Sequence, residues 1–273
     1  MVTVTCQKKT LLLSQLSLNN QQKDEQQQVT YFIADLHLAQ NRPDISACFL
    51  RFLKHEAIKA KSLYILGDLF EAWIGDDDDS PFLTTIAKAL ATLASLGTQI
   101  YYIHGNRDFL LGEKYAKKAK MMLLPEVDMI ELYGQEVIIM HGDTLCTKDV
   151  AYQKFRAKSR SWWWQFIIRS LPLFLRKKIA ADYRKKSAAA TAVKSQDIMD
   201  VTPDEVVKCL ENYNSQLLIH GHTHRPAIHE LTANNNHAKR IVLGDWYEQG
   251  AWLRVTPDGM ELLYQPFAEA NSE

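Results

Sequence analysis

The chain has 273 residues, enough for one large α/β domain or two modest ones with a substantial buried core. Its composition is ordinary, 47% hydrophobic and 23% charged, with 32 basic residues balancing 32 acidic ones; this excludes a disordered chain and a global polycation built for nucleic acid. Cys6, Cys48, Cys146 and Cys209 lie far apart with no CxxC pair, and no run of about 20 apolar residues occurs, which excludes a disulfide framework, a cysteine zinc site and a membrane-spanning helix.

Residues 1–28 join a short apolar run, Leu11 to Leu13, to a Gln/Asn-rich stretch. The run is too short for a secretory segment, and the whole is expected to be a disordered extension outside the fold. From residue 29 onward, short apolar runs rich in β-branched and aromatic residues each end in a polar cluster. Residues 29–34 run into Asp35-Leu36-His37, 62–66 into Gly67-Asp68, and 99–103 into His104-Gly105-Asn106. Residues 136–140 run into His141-Gly142-Asp143, and 216–219 into His220-Gly221-His222-Thr223-His224. Length and residue type make these buried strands. Helical patterns over 45–61 and 83–96 separate the first three, giving a β-α-β-α-β opening. Open sheets of this kind gather ligands beyond the carboxyl ends of their strands, where all five clusters stand, so the clusters should meet on one rim. Residues 240–243, 251–255 and 260–264 read as closing antiparallel strands, with Pro257-Asp258-Gly259 turning the last hairpin.

Residues 149–204 break this pattern and read as a helical insertion lying over the rim. Residues 154–194 hold twelve Lys or Arg and one acid, Asp182, interleaved with Trp162, Trp163, Trp164, Phe166, Ile167 and Ile168. A basic, aromatic helical stretch suits an anionic membrane surface, with Arg176, Lys177 and Lys178 expected to face lipid. The same apolar side chains suit a chamber for acyl chains; a packed helix pair with solvated lysines is the plainer reading. The run Asp76-Asp77-Asp78-Asp79 lacks the spacing and glycine of a calcium loop and reads as a solvated turn. His104 and His220, each just ahead of a motif, read as supports for neighbouring ligands. His55, His229 and His237 have no motif context and read as surface residues.

The rim residues Asp35, His37, Asp68, Asn106, His141, His222 and His224 form a mixed oxygen and imidazole set. Such a set suits Mn²⁺, Zn²⁺ or Fe²⁺ better than Ca²⁺ or Mg²⁺ alone. The i, i+2 spacing of Asp35 with His37, and of His222 with His224, puts both side chains on one face if the strand continues. Seven ligands are too many for one ion but suffice for two that share a carboxylate, an arrangement that clamps an in-line displacement at phosphorus.

Asp35-Leu36-His37, Gly67-Asp68, Gly105-Asn106-Arg107-Asp108, His141-Gly142-Asp143 and Gly221-His222-Thr223-His224 resemble the five motifs of the calcineurin-like metallophosphoesterases. One departure is informative: many members carry His where Arg107 stands. An arginine clamps phosphate and cannot act as a general acid near neutral pH. The longer strings 34–38, 66–76, 104–112, 140–146 and 219–226 resemble the UDP-2,3-diacylglucosamine hydrolase family of lipid A synthesis, over about residues 29–267. The resemblance implies an α/β fold, a four-layer αββα sandwich with its core in 29–148 and 205–268 and the insertion 149–204 as a lid over the active site. It implies hydrolysis of the pyrophosphate of UDP-2,3-diacylglucosamine to UMP and 2,3-diacylglucosamine 1-phosphate (lipid X), by water attack at the α-phosphorus with two Mn²⁺ ions. One ion would take Asp35, His37, Asp68 and His224, the other Asp68, Asn106, His141 and His222, with Asp68 bridging. Asp68, Asn106, Arg107 and His222 would be the catalytic group. Asn106, Arg107, His222, Asp149, Ser187, Thr191 and Lys194 would contact substrate, and Tyr152 would be a further wall residue. The implied location is peripheral, on the cytoplasmic face of an inner membrane, with a glycolipid nucleotide as substrate and no nucleic acid as partner. Two rivals remain: a phosphodiesterase for nucleotides or nucleic acid with the same metals, and a non-catalytic scaffold. The clustered aliphatics of the insertion speak against the first and the complete ligand set against the second.

Overall fold

A computed structural model of the chain describes residues 28–192 and 200–267, with side chains left aside over 186–192. The extension expected over 1–28 therefore lies outside the described residues up to residue 27, as does Lys194; for Ser187 and Thr191 only the backbone is described. Strands β1 (Thr30–Ile33), β2 (Ser62–Leu66) and β3 (Gln99–Ile103) run parallel and in register, Thr30 opposite Ser62 and Ser62 opposite Gln99. β1 and β2 are buried along their whole length, which is why they read as unbroken apolar runs rather than alternating ones. A short β4 (Met122–Leu123) adds to β3, and β10 (Gln249–Thr256) with β11 (Gly259–Pro266) closes the other side, giving the order β11-β10-β1-β2-β3-β4.

A second sheet, β5-β6-β7-β9-β8, contains β5 (Val127–Leu132), β6 (Gln135–Met140), β7 (Leu217–His220), β8 (Ala227–Ala233) and β9 (Asn236–Val242). The two sheets pack face to face. Phe32, Ala34, Tyr64, Leu66 and Ile103 from the first meet Val137, Ile139, Leu217, Ile219 and Ile241 from the second. Helix α1 (Pro43–His55) opens on a proline suited to a first turn and buries Ile45, Cys48, Phe49, Phe52 and Leu53, one helical stripe. It stops at His55 and not at 61, because residues 57–59 tighten into a 3₁₀ turn. Helix α2 (Pro81–Ser95) starts on Ser80, whose hydroxyl accepts from the Leu83 N–H, and buries Ile86, Ala87, Leu90 and Leu93. With α3 (Glu113–Ala119) these helices cover the outer face of the first sheet. Among the described residues four later helices remain: three in the insertion, and one at Pro203–Asn212 that covers the outer face of the second sheet with Val206 and Leu210. The layers are therefore helix, sheet, sheet, helix, as expected.

The insertion forms α4 (Val150–Ser159), α5 (Trp162–Ser170) and α6 (Leu173–Ala192), so the helix at Pro203–Asn212 is α7. Its basic residues do not simply face solvent. The Tyr152 hydroxyl donates to Asp143 Oδ2 at 2.5 Å, Arg156 Nε donates to the same oxygen at 2.8 Å, and Arg160 Nη2 reaches the Gly105 carbonyl at 2.9 Å. Arg176 is only 4% exposed; it donates to the carbonyls of Ile74 (2.6 Å) and Leu171 (2.9 Å) and pairs with Asp77. Lys177 pairs with Asp78 at 3.1 Å. This corrects two expectations. Arg176 is not available to lipid, and Asp76-Asp77-Asp78-Asp79 is not a solvated turn. Asp76 accepts the N–H groups of Gly112 (2.8 Å) and Tyr115 (3.1 Å) at the start of α3, while Asp77 and Asp78 receive α6. Four adjacent carboxylates repel one another unless cations or open N–H groups face them, and here both do.

Replacing Arg176 by Met removes several charge-assisted hydrogen bonds, each worth about 1.5–3 kcal/mol. Trypsin should then cut within 177–186 at least about tenfold faster, the equivalent of about 1.4 kcal/mol of easier local opening. Time-resolved proteolysis with mass spectrometry checks this; parental cleavage rates would show that Arg176 does not hold α6 in place.

Candidate active site

The strands stop before the functional residues. β1 ends at Ile33 and β7 at His220, and the next segments turn through left-handed backbone: φ is 55° at Asp35, 51° at His37, 52° at Asp68, 71° at His222 and 55° at His224. Strand alternation thus does not aim the pairs. In Asp35-Leu36-His37 two left-handed residues flank Leu36, which is buried in the core while its neighbours join the polar cluster. Asp and His are among the side chains that tolerate this region best. The turns are pinned across the sheet, Asp35 N–H to Gly67 O (3.1 Å) and His37 N–H to Asp68 O (2.9 Å). Glycine precedes Asp68 and Asn106 for a steric reason. A Cβ on Gly105 would sit 2.0 Å from Asp68 Oδ1, and one on Gly67, where φ is +87°, 2.6 Å from His141 Nδ1.

All seven proposed ligands meet here, although they come from both sheets rather than from one rim. Asp68 lies at the centre with its oxygens divided. Oδ2 is 3.9 Å from His37 Nε2, and Oδ1 is 3.9 Å from His141 Nε2. His37 Nε2 lies 3.4 Å from His224 Nε2, and His224 Nε2 lies 3.5 Å from Asp35 Oδ1. On the other side, Asn106 Oδ1 is 3.0 Å from His141 Nε2 and 2.9 Å from His222 Nδ1, and those two nitrogens are 3.2 Å apart. Asp35, His37 and His224 converge closely enough to share a cation, as do Asp35, Asp68 and His141. The fit is also chemical. Asp35 Oδ1 is buried and takes no hydrogen bond, while Oδ2 accepts the His222 N–H at 2.7 Å. A bare buried carboxylate oxygen beside converging imidazole nitrogens is a donor set that a divalent cation satisfies.

Electrostatics separate the groups. Burial acts to raise the Asp35 carboxyl, but His224, His141 and His37 outweigh it and hold the group well below the usual carboxylate range. Asp68 moves the other way: burial, reinforced by the Asp108 and Asp35 carboxylates, lifts it despite His141 and His37. Burial and the neighbouring His141 push His222 down to about 3, which keeps it neutral. Burial also opposes charge on His224, yet Asp35 and Asp245 raise it to about 9.

Several contributors escaped the sequence reading. Glu71 Oε2 lies 2.9 Å from His37 Nδ1, and Tyr247 stacks flat on the His37 ring at 5.1 Å and 3°. Asp108, fully buried, gathers the N–H groups of Gly105 (2.9 Å), Asp68 (3.2 Å) and Phe70 (3.3 Å), tying the second and third motif loops together. Asp143 serves as the anchor for α4 described above. Glu71, Asp108 and Asp143 do stand inside the quoted motif strings; Tyr247 has no such signal. Arg107 is half-buried and its Nε has no hydrogen-bond partner among the described residues, while its N–H donates to Asp68 Oδ1 at 2.8 Å. Asp149 is buried at the start of α4, where it accepts the Tyr152 N–H, and the Tyr152 ring lies 6.0 Å from His222. His104 Nε2 meets the Leu111 carbonyl at 2.7 Å and His220 Nδ1 the Gly221 carbonyl at 2.8 Å, so each braces a loop beside the cluster.

Comparison with known proteins agrees with this geometry. Residues 29–226 match the calcineurin-like phosphoesterase family. A UDP-2,3-diacylglucosamine hydrolase of Klebsiella pneumoniae is 55% identical over 238 residues, covering 87% of this chain and 99% of the relative. A protein of the same description from Escherichia coli O7:K1 matches with the same identity and coverage.

Asp108→Asn tests the scaffold of the site without touching a proposed ligand. An amide offers one acceptor oxygen where the carboxylate serves three donors, and its NH₂ faces them. Loss of about 1–3 kcal/mol of stability is expected, read as a fall in the urea midpoint with unchanged slope; an unchanged midpoint would contradict the bracing role.

Proposed function

The chain belongs to the UDP-2,3-diacylglucosamine hydrolase family of calcineurin-like phosphoesterases, and we propose that it hydrolyses the pyrophosphate bond of UDP-2,3-diacylglucosamine, releasing UMP and 2,3-diacylglucosamine 1-phosphate. The observation that carries this reading is the 55% identity maintained over 99% of a relative bearing that description.

Asp35, His37, Asp68 and His224 would hold one Mn²⁺, and Asp68, Asn106, His141 and His222 the second, with Asp68 shared through its divided oxygens. When bound, such a pair supplies charge neutralisation at the phosphoryl oxygens and lowers the pKa of an attacking water. The chain's own residues do the positioning. Arg107 offers a half-buried guanidinium whose Nε lacks an acceptor, and it takes a phosphoryl oxygen. The absence of a proton donor at this position suits an anhydride. The leaving group is a phosphate monoester, whose second pKa is near about 6, so it departs without protonation. An alkoxide would need an acid there. Asn106 and His222, with Asp149, Ser187, Thr191 and Lys194, make the substrate contacts, and Tyr152 closes the wall next to His222. The insertion serves as a lid whose inner apolar residues take the acyl chains.

Substrate of this kind sits in a bilayer, and the protein works peripherally on the anionic cytoplasmic face of an inner membrane. Among the described residues no helix is long and apolar enough to cross. Helix α5 instead divides its faces. Trp164 and Ile168 pack inward, Trp164 on Phe109, while Trp162 is 80% and Phe166 69% exposed, with Trp163 and Ile167 beside them.

Incubation with UDP-2,3-diacylglucosamine and Mn²⁺ should give UMP and the acylated sugar phosphate by mass spectrometry, and Asp68→Ala should lower turnover at least about a thousandfold, on the scale of losing a main electrostatic element. Turnover within tenfold of the parent would remove Asp68 from the centre. Chelation by EDTA should inactivate the enzyme, with Mn²⁺ restoring more activity than Mg²⁺ because four imidazoles suit the softer ion; equal rescue would speak against the ligand set. Trp162→Ser combined with Phe166→Ser should reduce co-sedimentation with anionic vesicles about tenfold or more, since each aromatic contributes about 1.5–3 kcal/mol on burial. Hydrolysis of a soluble aryl phosphodiester should not change. Parental sedimentation would show that this face does not meet lipid.

A further inference from the structure

Glu71 follows β2 in a loop that carries no proposed ligand after Asp68, yet its carboxylate is shared between two parts of the fold. Oε2 lies 2.9 Å from His37 Nδ1, an ion-pair distance, and Oε1 accepts from Arg184 of α6. Across the same junction Tyr183 of α6 lies 5.2 Å from Phe155 of α4, and Arg176 anchors the start of α6 on Asp77. Helix α6 is thus tied down at Asp77 and again at Glu71, about two helical turns apart.

We propose that Glu71 is a positioning residue that couples docking of α6 to loading of the metal centre. One oxygen lies against His37 Nδ1, where its charge favours a proton, and Nε2, 3.9 Å from Asp68 Oδ2 and 3.4 Å from His224 Nε2, is then the nitrogen left to take a cation. The other oxygen receives Arg184. A cation on Nε2 fixes the ring, the fixed ring fixes Oε2, and Oε1 is then presented to Arg184 with less ordering left to do. Linkage makes the effect reciprocal, so docked α6 must strengthen cation binding by the same factor. This inference rests on the metal centre proposed above.

The test uses the full chain freed of metal, with Mn²⁺ alone as probe. Affinity is measured by isothermal titration for the parent, Arg184→Met, Arg184→Lys, Glu71→Gln and the Glu71→Gln/Arg184→Met pair. Amide hydrogen exchange of residues 173–185 is followed with and without Mn²⁺. Glu71→Gln should bind Mn²⁺ about tenfold or more weakly, the usual scale for a residue orienting a histidine ligand. Arg184→Met should weaken binding about threefold, Arg184→Lys should recover part of the loss, and the double variant should bind no more weakly than Glu71→Gln. Mn²⁺ should slow exchange across 173–185 in the parent and not in Glu71→Gln. Arg184 is 44% exposed in its side chain, so its variants should retain the fold. Parental Mn²⁺ affinity in Arg184→Met, together with exchange in α6 that ignores Mn²⁺, would reduce the contact to an ordinary surface ion pair and overturn the coupling while leaving the centre intact. Failure of the parent to bind Mn²⁺ would overturn the centre and the coupling together.

Discussion

Two carboxylates, Asp35 and Asp68, are withdrawn almost entirely from water at the ends of neighbouring strands, and the rest of the site follows from making that arrangement tolerable. Burying an ion unpaired is costly, and burying two like charges together is worse. The chain surrounds them with four imidazoles and the backbone N–H groups of His222 and Arg107, and still leaves Asp35 Oδ1 without a hydrogen bond. Five of the participating residues also sit in left-handed backbone, at roughly 1–2 kcal/mol each. That total is comparable with the whole stability of a typical domain. The two packed sheets, with helices against their outer faces, supply the apolar burial that offsets it. Fold and site are therefore linked in one direction: the sandwich is rigid so that the loops at its edge need not be relaxed.

The same logic governs the insertion. A formal net charge of zero conceals a basic segment facing acidic loops. Asp143 and Glu126 receive Arg156, Asp77 and Asp78 receive Arg176 and Lys177, and Glu71 receives Arg184. These pairs differ in weight. The Asp143 and Asp77 contacts involve a buried partner and several hydrogen bonds, whereas Lys177 with Asp78 is half exposed and adds little. Basic residues used in this way hold the insertion against the site, while the aromatic face of α5 stays exposed.

Much of this was legible in the sequence because the signals were local. Strands over 62–66 and 99–103 were read to the residue, since burial on both sides makes a continuous apolar run bounded by polar clusters. β5 and β8 were missed: Val127-Asp128-Met129-Ile130-Glu131-Leu132 and Ala227 to Ala233 are edge strands, largely exposed, with no strong periodicity. The seven proposed ligands were found as motifs, but their aim was not, because left-handed backbone at Asp35 and His222 overrides the two-residue alternation of a strand. Glu71, Asp108 and the aspartates of 76–79 were visible as residues and opaque as partners. Their meaning comes from Arg184, Gly105 and Arg176, separated from them in the chain or reached only through a loop, and ion pairing of this kind leaves no periodic trace.

The division of Asp68 between two halves of the cluster is the feature on which the reading of the site turns, and counting bound metal tests it most directly. Metal-free protein saturated with Mn²⁺ and passed through a desalting column should carry two equivalents per chain by elemental analysis, falling to one or fewer when Asp68 is replaced by Ala. A parent chain that retains a single equivalent or none, or an Asp68→Ala chain that still retains two, would contradict a centre built on a shared carboxylate.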